Sequence, residues 1–192
     1  MRPLARPFLI ALLLAAAPAW PADIEVDVRR SGDVFTIVAR AEFAGGVPVA
    51  WKVLTDYGRY PEFISDLTKS RILSRKGREV QVEQKGEARF LFRTYPLDVR
   101  LAVTEQPYER VSSRAVAGSF REMRNTYDLE GRDGRVLLRY SGRLVPDFYV
   151  PPVFGTLALR HNVEAMFVAL VEEMERRNAR PEGPGKAPGT RD

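Results

Sequence analysis

The chain has 192 residues, with 30 Lys and Arg against 25 Asp and Glu, one His, no Cys and a formal net charge of +5. The lack of cysteine excludes thiolate catalysis, disulfides, Cys-ligated metals and a lipidated cysteine anchor. Basic residues are interleaved with acidic ones, so no nucleic-acid footprint forms, whereas the mild positive excess stays compatible with an anionic lipid surface.

The first element is a leader. Arg2 and Arg6 precede the apolar block "FLIALLLAAA" (Phe8 to Ala17), which is too short to cross a bilayer, and "PAWPAD" follows with the small-residue pattern Ala17-Pro18-Ala19. This order reads as a secretory signal peptide over residues 1–22, cleaved after Ala19 or after Ala22, and it predicts a periplasmic or secreted protein. An uncleaved anchor or a core helix is the plainer alternative. Losing Arg2 and Arg6 leaves 28 basic against 25 acidic residues, a charge of +3. With 45% hydrophobic residues, the remaining chain can build one core without disulfides.

From Asp23 the chain alternates. Ile24, Val26 and Val28 oppose Glu25, Asp27 and Arg29, and a turn at Ser31-Gly32-Asp33 leads into "VFTIVARAEF", which predicts a hairpin. The alternation then stops. Pro48 suits a first helical turn, and Val47, Ala50, Trp51 and Leu54 recur at helical spacing. Gly58 is expected to end this helix and Pro61 to begin a second short one carrying Phe63, Ile64 and Leu67.

Strand signals alone fill residues 71 to 145. Val80, Val82, Gln84, Gly86, Ala88, Phe90 and Phe92 share one parity, against Glu79, Gln81, Glu83, Lys85, Glu87, Arg89 and Arg93 on the other. Leu97, Val99, Leu101 and Val103 continue the dry parity, followed by strands holding Met123, Asn125, Tyr127 and Leu129, and then Val136, Leu138, Tyr140 and Leu144. Short turns between consecutive strands imply an antiparallel meander of about five strands. After the loop "VPDFYVPPV", Leu159, Val163, Met166, Phe167, Leu170 and Met174 form one helical stripe between residues 153 and 177, with Arg160, Glu164, Glu172 and Glu175 off it. Residues 178–192 are rich in Pro and Gly and read as a disordered tail. One domain over residues 23–177 is therefore expected.

At this point the wording carries a resemblance. "VPVAWKVLTDYGRYPEFISDLTKSRIL", "VEQKGEARFLF", "GSFREMRNTYDLE", "GRVLLRYSGRLVP" and the closing helix, over about residues 34 to 177, resemble the START-like superfamily of polyketide cyclase/dehydrase and lipid-transport proteins. That group includes the coenzyme Q-binding START-domain proteins, and Trp51 to Phe63 is the most specific stretch. The resemblance implies an α+β helix-grip fold. In that fold a curved antiparallel β-sheet wraps around a long C-terminal α-helix, two short helices follow the first strands, and an elongated apolar cavity lies between sheet and helix. Family members usually hold a hydrophobic small molecule there, and some subfamilies cyclise or dehydrate one. The apparent export signal departs from mitochondrial or cytosolic relatives.

The inward register contains few polar groups: Gln84, Ser113, Asn125, Tyr127, Tyr140, and Arg121 at a strand mouth. No carboxylate pair and no nucleophile triad assembles from them, so no catalytic residue is assigned. His161 is alone and reads as a surface residue, and neither a metal nor a cofactor is expected. Asp56 reads as a local backbone partner before a catalytic acid, and Arg121 and Arg124 as solvated before a head-group clamp.

Trp51, Phe90 and Phe167 are first of all core candidates. The breaker-rich segments "YGRYPEF" and "VPDFYVPP" should flank an open end of the cavity. The expected ligand-binding set is Tyr60, Phe63, Phe90, Phe92, Met123, Asn125, Tyr127, Tyr140, Phe148, Tyr149 and Phe154. The expected partner is a lipid, isoprenoid quinone or similar hydrophobe held by a monomer, with transient membrane-surface contact and no nucleic acid. A cyclase or dehydratase acting on a carbonyl, or an envelope interaction module, are the alternatives.

Overall fold

The computed structural model describes residues 23–90 and 93–180. The leader, the Pro/Gly-rich tail from residue 181 and Phe92 lie outside the described residues, as does the side chain of Phe90.

Eight antiparallel strands form a single curved sheet. They are β1 (Asp23–Ser31), β2 (Val34–Ala44), β3 (Leu67–Lys76), β4 (Glu79–Phe90), β5 (Arg93–Gln106), β6 (Arg110–Gly118), β7 (Phe120–Arg132) and β8 (Arg135–Pro146). The spatial order β1-β2-β8-β7-β6-β5-β4-β3 is a meander from β3 to β8, onto whose last strand the β1–β2 hairpin pairs. The hairpin turns on Gly32, whose φ of +59° lies in the left-handed region where glycine is unstrained. The meander has six strands, one more than the parity count, because the chain is already extended at Leu67.

Helix α1 (Val47–Leu54) begins with Pro48 in its first turn and ends at Thr55, whose hydroxyl and backbone N–H both donate to the Trp51 carbonyl. Gly58 does not end it. A 3-10 helix over Tyr57–Glu62 contains both Gly58 and Pro61, so the second short helix starts four residues earlier than expected. Helix α2 (Pro152–Asn178) lies across β1, β2 and β4 and against α1. Its inward stripe of Val163, Phe167, Leu170, Val171 and Met174 is buried against Phe35, Ile37 and Phe43 of β2 and Leu138 of β8.

Two ion clusters hold the frame. Glu173 accepts from Arg176 Nε and Nη2 and from Arg177 Nε, each at 2.6 Å, and Arg177 Nη1 reaches Asp56 at 2.8 Å. Asp56 therefore ties the end of α2 to the junction after α1, as a structural group. Glu105 continues the dry parity of β5 one step past Val103, and its carboxylate accepts from Tyr57 Oη at 2.9 Å and Arg75 Nη1 at 2.6 Å. The parity reading missed it by stopping at Val103. Glu83, on the expected wet parity, is also buried, because Arg71 and Lys69 of β3 cover it.

Candidate functional site: the cavity under helix α2

Sheet and helix do not meet along their whole length. Between them lies a cavity of about 270 Å³, close to the lower end of the ~300–1,000 Å³ usual for ligand pockets. Its walls come from Ile37 of β2, Val82 and Ala88 of β4, and Val99, Leu101 and Val103 of β5. Met123 of β7, Leu144 of β8, and Leu159, Val163, Met166 and Leu170 of α2 complete them. Alternation delivers these side chains: each strand presents every second residue to the concave face, and those residues are apolar. Ser65 and Ala165 line the cavity and are also exposed, which places its mouth between the segment after the 3-10 helix and the outer half of α2.

The expected binding residues separate into groups. Tyr60, Met123, Asn125, Tyr127, Tyr140 and Phe148 lie on the wall. Phe63 does not: it packs edge-on behind Tyr60 at 5.6 Å, as a support for that ring. Tyr149 is 71% exposed, because the extended chain alternates and its neighbours Phe148 and Val150 take the two inward positions. Phe154 sits in the first turn of α2 on the outward side and is 47% exposed. Phe148 stacks on Tyr95 at 5.0 Å and meets Phe120 edge-on. Trp51 is half-buried against Tyr108 at 5.9 Å, and Phe167 is fully buried in the core. His161 is exposed.

Arg121 is turned away by a bulge. The β7–β8 register slips between Phe120 and Glu122, which sends Phe120 into the cavity and Arg121 outward to Asp33 and the Pro146 carbonyl. Arg124 is exposed beside Glu122. Neither guanidinium reaches the cavity. Arg30, on β1, lies over the Phe35 ring and donates to the carbonyls of Val150 and Pro151, so it anchors the loop that enters α2.

The polar groups on the wall are mostly neutral and mostly engaged. Tyr60 Oη donates to the Leu54 carbonyl at 2.7 Å, Tyr140 Oη to Asn125 Oδ1 at 2.9 Å, and Tyr127 Oη points at Met166 Sδ at 3.8 Å. Burial pushes the phenols of Tyr60, Tyr127 and Tyr140 well above their ordinary range, so all three stay protonated donors at physiological pH. Gln84 donates to Ser70 at 3.5 Å. Asn162 of α2 also lines the cavity; the sequence reading passed over it, although it precedes Val163 on the inward stripe. Asp66, Lys85 and Glu87 form the charged part of the lining; all three are partly exposed, and Lys85 is paired with Asp98 at 2.6 Å.

Residues 46–177 match the family described as polyketide cyclase / dehydrase and lipid transport. The chain belongs to that family. No curated protein sequence matches it. Among solved structures, the chain is similar to a START superfamily protein from Mycobacterium smegmatis (18% identity, TM-score 0.63, covering 73% of this chain and 97% of that one). It is also similar to a STAR-related lipid transfer protein from Xanthomonas axonopodis (13%, 0.63, covering 79% and 93%). A third likeness is to the Zhui aromatase/cyclase from Streptomyces sp. R1128 (17%, 0.62, covering 75% and 95%). At such identities the likeness is one of fold. Family members of this kind include both cyclases and lipid carriers, and the fold is a hydrophobic-ligand binder in either case.

Proposed function

We propose that this protein binds a hydrophobic small molecule of the lipid or isoprenoid-quinone kind in the cavity under α2. It carries or sequesters that molecule outside the cytoplasm without changing it chemically. The carrying observation is the wall itself: apolar side chains with neutral hydroxyl and amide groups, no histidine, and carboxylates only at partly exposed positions. General acid–base chemistry needs a titrating group near the reacting atoms, and the buried tyrosines hold their protons too tightly to serve as bases near neutrality. Native mass spectrometry of protein purified from its own host should show a bound hydrophobe that organic solvent extracts. A protein that arrives empty in every preparation, or that turns an extracted ligand over, overturns the reading.

The export half of the proposal rests on the composition of residues 1–22. Protein from the periplasmic or secreted fraction should begin at Trp20 or Asp23; an intact Met1 in the cytoplasmic fraction refutes it.

Ligand exchange by transient contact with a lipid surface is part of the same reading. Phe154, Leu157, His161, Ala165 and Val168 recur at helical spacing on the outer face of α2, all exposed, and Ala165 also borders the cavity mouth. Apolar side chains beside the mouth shorten the path of an apolar ligand through water, where each exposed CH2 costs about 0.8 kcal/mol. A Phe154→Ser/Leu157→Ser double variant should keep its thermal midpoint and lose co-sedimentation with anionic vesicles. Undiminished sedimentation removes membrane contact from the proposal.

A further inference from the structure

One row of the sheet's inward face sets an amide and a hydroxyl side by side among apolar surroundings. The β6–β7–β8 register sets Ser113 opposite Asn125 and Asn125 opposite Gly142, with Val111, Tyr127 and Tyr140 aligned in the next inward row. The glycine makes the arrangement feasible. A Cβ on Gly142 would stand 2.6 Å from Tyr140 Oη, so only the bare backbone lets the Tyr140 ring lie back along its own strand. Its hydroxyl then reaches across to Asn125 Oδ1 at 2.9 Å.

In this bond the phenol donates and the Asn125 amide oxygen accepts. The amide oxygen is taken by Tyr140, and the amide nitrogen is left as the group with donors to offer. Asn125 is only 8% exposed and lines the cavity, yet among the described residues its Nδ2 makes no hydrogen bond. The neighbouring Ser113 hydroxyl, on the same wall, makes none either. The amide nitrogen is not sealed away, since Arg177 Nη2 is the one fully buried side-chain polar atom without a partner among the described residues; Nδ2 opens onto the cavity, where a ligand oxygen can meet it. Meanwhile no arginine lines the cavity among the described residues, and Lys85 is already paired with Asp98. An anionic head group would therefore be buried beside Asn125 without a counter-charge, which is strongly unfavourable.

Building on the carrier reading above, we infer that the cavity selects an uncharged apolar molecule bearing a carbonyl-type oxygen, and that Asn125 Nδ2, assisted by the Ser113 hydroxyl, is the donor that receives this oxygen. Tyr140 and Gly142 act as positioning residues that hold the amide in the donating orientation.

The test uses three probes of nearly equal size on delipidated full-length protein: 2-methylnaphthalene, the neutral ketone 2-acetylnaphthalene, and the anion 2-naphthoate. Titration calorimetry should find both neutral probes bound and the carboxylate not. Replacing Asn125→Leu should lower the ketone-to-hydrocarbon affinity ratio by roughly two- to tenfold, the worth of one neutral hydrogen bond. Infrared spectroscopy of the ketone bound to the unmodified protein supplies a readout that depends on no variant: its carbonyl stretch should lie at lower frequency than in hexane. An unchanged ratio together with a hexane-like stretch overturns the inference, as does tight binding of 2-naphthoate, and the carrier reading survives both. If neither neutral probe binds, the carrier reading fails and this inference fails with it.

Discussion

The space between sheet and α2 has two ends built on opposite rules. Around the C-terminal end of α2 the interior is dry and full: Phe43, Leu54, Leu138 and Met174 are buried to the last few per cent, and the rim is an ion cluster joining Asp56, Glu173, Arg176 and Arg177. Around its N-terminal half the same two surfaces stand apart over about 270 Å³, and the polar groups deep between them are neutral, with Asp66, Lys85 and Glu87 at partly exposed positions of the lining. Charges with counter-charges fasten the closed end, whereas uncharged donors with spare capacity furnish the open one. This division suits a binder whose shape must persist while its contents change, since structural ion pairs inside the cavity would fill the space a ligand needs.

Removing a partner at the fastened end should therefore reduce stability, and removing one at the open end should alter binding instead. The largest stability loss is expected for Glu105→Ala, which leaves the Tyr57 hydroxyl buried without its acceptor and Arg75 without its carboxylate. Urea unfolding should show a loss of about 2–4 kcal/mol. A loss no greater than that of an ordinary surface change would show that the network adds nothing to the frame.

Next comes Glu173→Gln. Hydrogen bonds from Arg176, followed by that from Arg177, hold the Glu173 carboxyl at about 2, below its ordinary 4.5. A lowered carboxylate contributes stability that is complete above about pH 4.5 and disappears as pH falls through 4.5 to 2. At pH 7 the variant should lose about 1–2 kcal/mol after allowing for solvent screening around the half-exposed Arg176. The gap between variant and parent should close as pH approaches 2. Thermal midpoints of both proteins across this range test the sign, and a gap that widens in acid refutes it.

At the open end, Gly142→Ala should displace the Tyr140 ring and break its bond to Asn125, at a cost of about 1–2 kcal/mol. Near-ultraviolet circular dichroism would register the change in tyrosine packing. The smallest effect on stability is expected for Asn125→Leu. It leaves the Tyr140 hydroxyl without its acceptor but adds apolar surface to the cavity wall, so a change within about 1 kcal/mol is expected from urea unfolding. A loss as large as that of Glu105→Ala would abolish the distinction between the two ends.

Much of this architecture is legible in the chain. Alternation reports which side chains share a face, so Val80 to Ala88, Leu97 to Val103 and Met123 to Leu129 could be assigned to the concave surface before any pairing was known. The helical stripe from Leu159 to Met174 likewise announces the inner face of α2. The misreadings have specific causes. A bulge at Arg121 reverses parity for the residues before it, and nothing in "GSFREM" marks where the register slips. Glu105 extends the dry parity one step past Val103 although it is charged, because a carboxylate met by Tyr57 and Arg75 can be buried. Tyr149 and Phe154 share the aromatic composition of Phe148, but one step along an extended chain turns Tyr149 to the opposite side, and Phe154 falls on the outward side of the first turn of α2.

By itself the sequence determined the order of elements, their type and the apolar character of the surface enclosed between sheet and helix, because periodicity and breakers are local properties. It also carried the family. Only the tertiary structure decided that sheet and helix separate at one end and close at the other, since a gap depends on where volumes from distant strands meet. The donating orientation of Asn125 was likewise a tertiary outcome. It follows from Gly142 lying opposite it on the next strand and leaving room for a tyrosine ring, a relation between residues 17 positions apart that no local pattern encodes.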